Sequence, residues 1–511
     1  MKRHLQLLFL SIALVFVSES LVAQRYLTEI FTNVNVTTNV TYGTNISIFP
    51  PPTPASIPLI MDIYEPAGDA FTQRPLIIFM HTGSFLPRYI NESPIGSRND
   101  SATVEICTQL AKRGYVVANM DYRLGWNPAG SNVDIRRGTI LQAIYRATQD
   151  AKACVRFFRA DAAATNTYGI DQSSIILGGQ GTGGYIAINY PVLDDPAEIT
   201  LPKFISGITD PTYGFVAGQP YVNQSVLGDY DGYGGIPQLN NPNNSPGFSN
   251  DIAFAFNLGG AMGDSTWIEP GDVPMVGMHV IGDPFAPYDI GTVFVPGNPP
   301  QTVVDVIGSR SILRFANQYG NNNCFANAGF NDPYTQVANL YNEGFEGLYP
   351  FVTIPPVQAG PWEWYDSLTV VNEAALFGQN GTIIYQNALL TNPDMSKTKA
   401  LAYIDTIMNY INPRIVECLN LPTGIDELTN LSNQITVSPN PANTDITINL
   451  NEVQETVQQI SIIDVRGKEV HQPNVTNQES ILIKIGNLKS GIYFARIQFE
   501  NGLVTKKIMI Q

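Results

Sequence analysis

Ile175-Ile176-Leu177-Gly178-Gly179-Gln180-Gly181-Thr182-Gly183-Gly184-Tyr185-Ile186-Ala187-Ile188-Asn189-Tyr190 reads as a short apolar strand, a glycine-rich turn and the start of a helix. A run with no polar alternation suits a strand covered on both faces. The glycines at 179, 181 and 183 allow a sharp reversal and a close approach of backbone to its neighbours. Whatever side chain occupies the tip of such a turn is presented at the end of the sheet. Gly181 has none to present.

Outward from this turn the chain alternates between strand and helix patterns. Leu141, Ile144, Thr148, Ala151, Val155 and Phe158 recur at spacings of three and four, one face of an amphipathic helix. Before it come the apolar runs Pro75–Met80 and Tyr115–Met120, with a helical stretch around Glu105–Lys112 between them. Leu59–Tyr64 is a further strand, and residues 25–50 alternate like an edge strand before the breaker Pro50-Pro51-Pro52. Residues 191–250 are rich in Gly, Pro, Asn and Asp and lose periodicity, as in an insertion or lid above the sheet edge. Strands at Ile252–Leu258, Met275–Ile281 and, more weakly, Leu348–Ile354 follow, then a helix through Leu401, Ile404, Met408 and Ile411. The alternation predicts an α/β fold with a doubly wound sheet.

Near residue 420 the pattern shifts. Residues 421–434 read as a linker, and from Ile435 to 511 short alternating strands predict a small all-β sandwich. At the other end, Lys2 and Arg3, the apolar run Leu7–Val17 and Leu21-Val22-Ala23 before Gln24 have the form of a secretory signal, giving an expected domain of 24–420 after residues 1–23. No later run approaches the ~20 apolar residues that span a bilayer.

A net charge of −16 and a pI near 4.7 exclude a nucleic-acid partner that needs clustered cations. The four cysteines, Cys107, Cys154, Cys324 and Cys418, match no zinc spacing, so neither metal nor cofactor is expected. Three pairings are open; positions in or beside loops favour Cys324 with Cys418. Asp229-Tyr230-Asp231-Gly232 lacks the glutamate of a calcium loop. Gly179–Gly184 lacks the lysine of a phosphate loop.

Three further stretches join the 175–190 turn in one resemblance. His81-Thr82-Gly83-Ser84-Phe85 is similar to an H-G-G-x-F oxyanion loop, with Thr82 in place of its first glycine. Gly114-Tyr115 through Asp121-Tyr122-Arg123-Leu124 is similar to a G-Y-V-V…D-Y-R-L strand, and Gly282-Asp283-Pro284-Phe285 to a turn carrying a catalytic acid. Over residues 45–415 the chain resembles carboxylesterase/lipase-like α/β hydrolases, whose G-x-S-x-G elbow corresponds to Gly179, Gly181 and Gly183. The tail carries Val437-Ser438-Pro439-Asn440-Pro441, Asp464-Val465-Arg466-Gly467-Lys468, Leu488-Lys489-Ser490-Gly491-Ile492-Tyr493 and Lys506-Lys507-Ile508. It resembles a type IX secretion (type A) sorting domain, which implies a Bacteroidota-type cell, the type IX machinery as partner, and release or attachment at the outer surface.

The resemblance assigns Gly181 to the nucleophile position, Asp283 to the acid, and Ala359 to the histidine. It assigns Gly83, Ser84 and Thr182 to the oxyanion or ligand-binding region. A Ser–His–acid site needs its nucleophile, imidazole and carboxylate together. The histidines are His4, His81, His279 and His471, and none follows Asp283 before the tail. Losing the serine or the histidine costs on the order of 10⁶ in turnover. Thr182 is expected to point into the fold, His81 to pack its loop rather than serve Ser84, and His279 to be a satisfied core residue.

The expected function is a secreted pseudo-hydrolase holding a small-molecule ester, lipid or glycan ligand, with Trp362, Trp364 and Tyr365 lining its pocket or filling core. One alternative is an active ester hydrolase with a non-standard constellation around Asp283. The other is a surface scaffold or adhesion protein.

Overall fold

The computed structural model describes residues 24–49, 54–423 and, with short gaps, 434–511. The secretory-signal reading, the Pro50–Pro52 breaker and most of the linker lie outside the described residues.

The apolar runs of the first domain assemble as one mixed sheet. Its strands are β1 (Val34–Ser47), β2 (Ala55–Pro66), β3 (Arg74–Met80), β4 (Val116–Met120), β5 (Ile170–Gln180) and β6 (Phe254–Leu258). After the two-residue strand β7 (Ala261–Met262) comes β8 (Met275–Val280). Then follow β9 (Ile290–Val295), β10 (Gln301–Gly308) and β11 (Leu348–Phe351). The main sheet runs β1-β2-β4-β3-β5-β6-β8-β11, and β2 alone opposes the other seven strands.

The absence of alternation in β3 has a direct cause. Leu76, Ile78 and Met80 enter the core on one face of the sheet, and Ile77 and Phe79 enter the core on the other. The first core is closed by the 32-residue helix Val133–Ala164 and the helix Thr182–Asn189, the second by Ser101–Lys112 and Lys397–Leu419. Covering both faces requires this three-layer arrangement.

The aperiodic insertion is held by the polar side chains of the long helix. Gln142 Nε2 donates to the Tyr221 carbonyl (2.9 Å), Gln149 Nε2 to those of Leu227 and Asp229 (2.9 and 2.7 Å), and Arg156 Nε to that of Asn244 (3.0 Å). Backbone groups without a strand or helix partner are thus satisfied from the helix. The insertion is therefore a strap along the helix flank. Asp231 pairs with Lys152 at 3.2 Å, and Asp229 Oδ1 accepts from the Asp231 and Tyr233 amides, so the acidic loop braces itself.

Two parts were not foreseen. β7, β10 and β9 form a separate three-stranded antiparallel sheet, and helices Ser367–Leu376 and Gly381–Thr391 form a hairpin after β11. Cys324 and Cys418 are joined (Cα–Cα 5.2 Å), tying the helix Asn323–Ala328 to Lys397–Leu419; Cys107 and Cys154 are free and buried. Both bonded cysteines sit at helix ends, beside loops.

The tail has two sheets, β12 (Thr436–Ser438), β13 (Asp445–Asn449) and β16 (Ser480–Lys484) in one, and β15 (Glu469–His471), β14 (Val457–Asp464), β17 (Gly491–Phe499) and β18 (Gly502–Ile510) in the other. Alternate residues such as Ile446, Ile448, Ile460, Ile462, Ala495 and Ile497 meet in its core.

Candidate functional site

β5 ends at Gln180, and the helix Thr182–Asn189 starts two residues later. Gly181 between them has φ 51° and ψ −118°, a conformation in which an L residue is strained. Its N–H donates to the Leu258 carbonyl of β6 (2.9 Å). The flanking glycines are required by packing. A Cβ at Gly183 would strike the Met80 carbonyl and lie 2.6 Å from that of His81. A Cβ at Gly179 would strike the Gly183 carbonyl group.

Gly181 is different. A Cβ there would run into the Thr82 hydroxyl and sit 2.9 Å from Thr82 Cβ. Rotating Thr82 moves its hydroxyl and leaves its Cβ in place. The threonine in place of the oxyanion-loop glycine and the glycine in place of the serine are therefore complementary in space.

The oxyanion-loop segment lies directly over this turn. Gly83 has φ +136°, with its Cα facing Gly96 so closely that a Cβ would be 2.6 Å from Gly96 Cα; Ser84 follows at φ 57°. His81 fixes the loop. Its Nδ1 meets the Thr82 carbonyl (2.5 Å), its Nε2 lies 3.3 Å from Asp121 Oδ1, and its ring stacks on Tyr122 at 4.7 Å. Burial works against the imidazolium, but the hydrogen bond and charge of Asp121 outweigh it and hold the His81 pKa above the ordinary value. Arg98 binds Asp121 from the other side and also pairs with Asp62 (3.1 Å). Both His81 nitrogens are engaged, leaving none for Ser84. Thr182 Oγ1 meets the Tyr122 hydroxyl at 3.0 Å, inside the fold.

Asp283 follows β8. Its Oδ1 accepts from the Phe285 and Ala286 amides (2.8 and 3.1 Å), and its Oδ2 lies 3.8 Å from His279 Nε2. Burial pushes the carboxyl up to about 7 against the pull of those two amides. His279 bonds Ser309 Oγ through Nδ1 (3.0 Å) and the Ala286 carbonyl through Nε2 (3.2 Å). Burial lowers its pKa to about 4, so it is neutral. Ser309, His279 and Asp283 thus adjoin in sequence of contact, but Ser309 and His279 are 0% exposed and out of reach of any substrate.

On the loop after β11, Ala359 donates its N–H to the Thr391 carbonyl (2.9 Å). The ground between elbow and acid belongs to Trp362. Its Nε1 donates to Gln180 Oε1 (2.8 Å). A Cβ built on Gly259 would lie 4.0 Å from the far ring edge and 3.4 Å from Asp283 Oδ2. Trp364 packs against the second core beneath Lys397, and Tyr365 donates to Glu363 Oε2 (2.9 Å), so these aromatics fill core and hold neighbours.

Glu363 was missed by the sequence reading. It is 3% exposed, and its Oε1 has no partner among the described residues. Burial, aided by the charge of Asp100, pushes it up to about 8. No pattern marks a lone glutamate between two tryptophans as special.

Residues 61–200 match the family described as BD-FAE, and residues 436–511 match the secretion system C-terminal sorting domain. The chain thus carries an esterase-like α/β-hydrolase domain and a type IX sorting domain. No curated protein matches it. Among solved structures it is similar to an esterase of the Planctomycetes species Thermogutta terrifontis. For the propionate-bound Est2 the identity is 18%, over 50% of this chain and 75% of that one, with a TM-score of 0.29. For the apo form of esterase 2 it is 15%, over 70% and 92%, with a TM-score of 0.31. The sorting tail marks the chain for secretion to the cell surface, and among the described residues no helix is long and apolar enough to cross a membrane.

Proposed function

We propose that this secreted hydrolase-fold protein binds an ester-like ligand without cleaving it. The observation that carries the reading is the filled seat at the elbow: the space a residue-181 side chain needs is taken by Thr82. The acid side supports it, since Asp283 has as its imidazole neighbour only a sealed His279 engaged on both nitrogens. With neither serine nor usable imidazole, a hydrolase retains on the order of 10³–10⁴ over water from binding and the oxyanion hole alone. Gly83, Ser84 and Thr182 are the residues proposed to face the ligand oxygen, and the first-turn N–H groups of the elbow helix suit such a group.

Glu363 favours a second reading, an active hydrolase in which buried carboxyls replace the imidazole. Its unpartnered Oε1 stands on the loop where hydrolases carry their histidine.

Intact-mass analysis after exposure to diisopropyl fluorophosphate tests for an activated hydroxyl. No adduct is expected. A single phosphoryl adduct mapping to Thr82, Ser84 or Thr182 would reveal a working nucleophile and overturn the binding-only reading.

A further inference from the structure

The elbow helix has a second face, away from the turn, and it borders a cavity. The walls come from the long helix (Ile144), the elbow helix (Tyr185), the strap (Phe204), the segment after β7 (Trp267) and the hairpin β9–β10 (Val293, Val304). The enclosed part of this space measures about 40 Å³ and opens to solvent at its mouth. Two of these walls, the strap and the hairpin, are additions to the main sheet.

The polar groups around the cavity are nearly all spent. Tyr145 donates its hydroxyl to the Gly228 carbonyl (2.9 Å), and Tyr221 donates to Asp134 Oδ1 (2.5 Å). Asn189 donates to the Tyr185 and Ala261 carbonyls (2.6 and 3.1 Å) and accepts from the Gly263 amide (3.0 Å). One donor remains. The Trp267 indole N–H has no partner among the described residues, although the residue is only 6% exposed. A buried donor left unpaired is costly, and a ligand oxygen would relieve it.

We propose that this cavity binds an unbranched apolar tail carrying one hydrogen-bond-accepting oxygen, as in an acyl ester or ketone, with the oxygen on Trp267 Nε1 and the tail against Ile144, Val293 and Val304. A glycan is disfavoured, because most of its hydroxyls would be desolvated against apolar walls. This site is separate from the region of Gly83, Ser84 and Thr182, and the inference goes beyond the reading above.

The test is isothermal titration of the full secreted chain with methyl ketones of increasing length, 2-heptanone, 2-nonanone and 2-undecanone, with maltose as the comparison. Ketones contain no ester bond, so binding is read whether or not the protein cleaves esters. A phosphoryl adduct in the preceding experiment would sink the binding-only reading and leave this site untouched. Saturable one-to-one binding is expected, tightening by up to about fourfold per added methylene until the cavity is full. Trp267→Phe should weaken it by about twofold to tenfold, the loss of one hydrogen bond. Val304→Trp and, from the facing wall, Leu141→Trp should each abolish it, with near-UV circular dichroism showing that the variant is folded. Absence of saturable ketone binding by the folded parent, or undiminished binding in the folded filling variant, would overturn the proposal. Maltose binding that competes with a ketone would do the same.

Discussion

At the elbow the backbone is held in its sharp turn while the side chain at its tip is gone; at the acid turn the side chain is present while the imidazole it would hold is not. Gly179 and Gly183 press so closely on neighbouring backbone that no other residue fits, so the turn is part of how β5 and its helix pack. Asp283 is likewise anchored by two amides of its own turn. On the proposed reading, the difference teaches that a frame persists where it is also structure, and that the hydroxyl and imidazole a hydrolase would add are atoms packing does not require.

The comparison breaks most visibly if the frame is struck. Gly183→Ala should cost about 3 kcal/mol or more, because its methyl group meets the Met80 and His81 carbonyls rather than a movable side chain. Urea unfolding measures this, and a near-neutral result would show that the turn is not bound to the packing. Gly181→Ser should cost less, about 1–3 kcal/mol, from its positive φ and the crowding of Thr82. Adding Thr82→Gly should recover part of that loss, giving a coupling of about 0.5 kcal/mol or more. Strict additivity would mean that Thr82 does not occupy the seat.

The acid side makes a subtler forecast, through pH. Asp283 and Glu363 have folded-state pKa values of about 7 and about 8, raised by burial above ordinary values of 3.8 and 4.5. The folded chain therefore binds their protons more tightly than the unfolded chain does. Their contribution is fully present below about pH 4 and is lost as pH rises through 7 and 8. Thermal melts across that window should show stability falling with pH, and Glu363→Gln should flatten the fall. An unchanged slope in that variant would deny Glu363 its buried, protonated state. The smallest effect is expected from Ala359→His. The elbow offers an imidazole no hydroxyl to activate, so ester turnover should stay unchanged.

Much of the frame was legible in the chain. β3, β4 and β5 are apolar runs because both faces are covered, and the three glycines announce the turn. The sheet of β7, β9 and β10 was hidden because β7 is two residues long and β9 is only partly buried, its apolar residues interrupted by Gly291 and Thr292. The hairpin of helices after β11 leaves Leu368, Leu376, Ile383 and Leu390 exposed, which blurs the periodicity that marks a helix. Within the site, the absence of a residue could be read from the sequence, and what fills the gap could not. Thr82 meets Gly181, and Trp362 meets Gln180, only because the sheet brings distant segments to the same edge.

The central claim is that the hydrolase frame carries no hydrolytic chemistry, and turnover of p-nitrophenyl butyrate by the purified secreted chain, beside its Asp283→Ala variant, tests it most directly. Turnover should be barely measurable in both proteins, no more than on the order of 10³–10⁴ over water, and equal in the two. Turnover well above that rate in the parent, lost on removing Asp283, would contradict the claim and place a working catalytic group beside the acid.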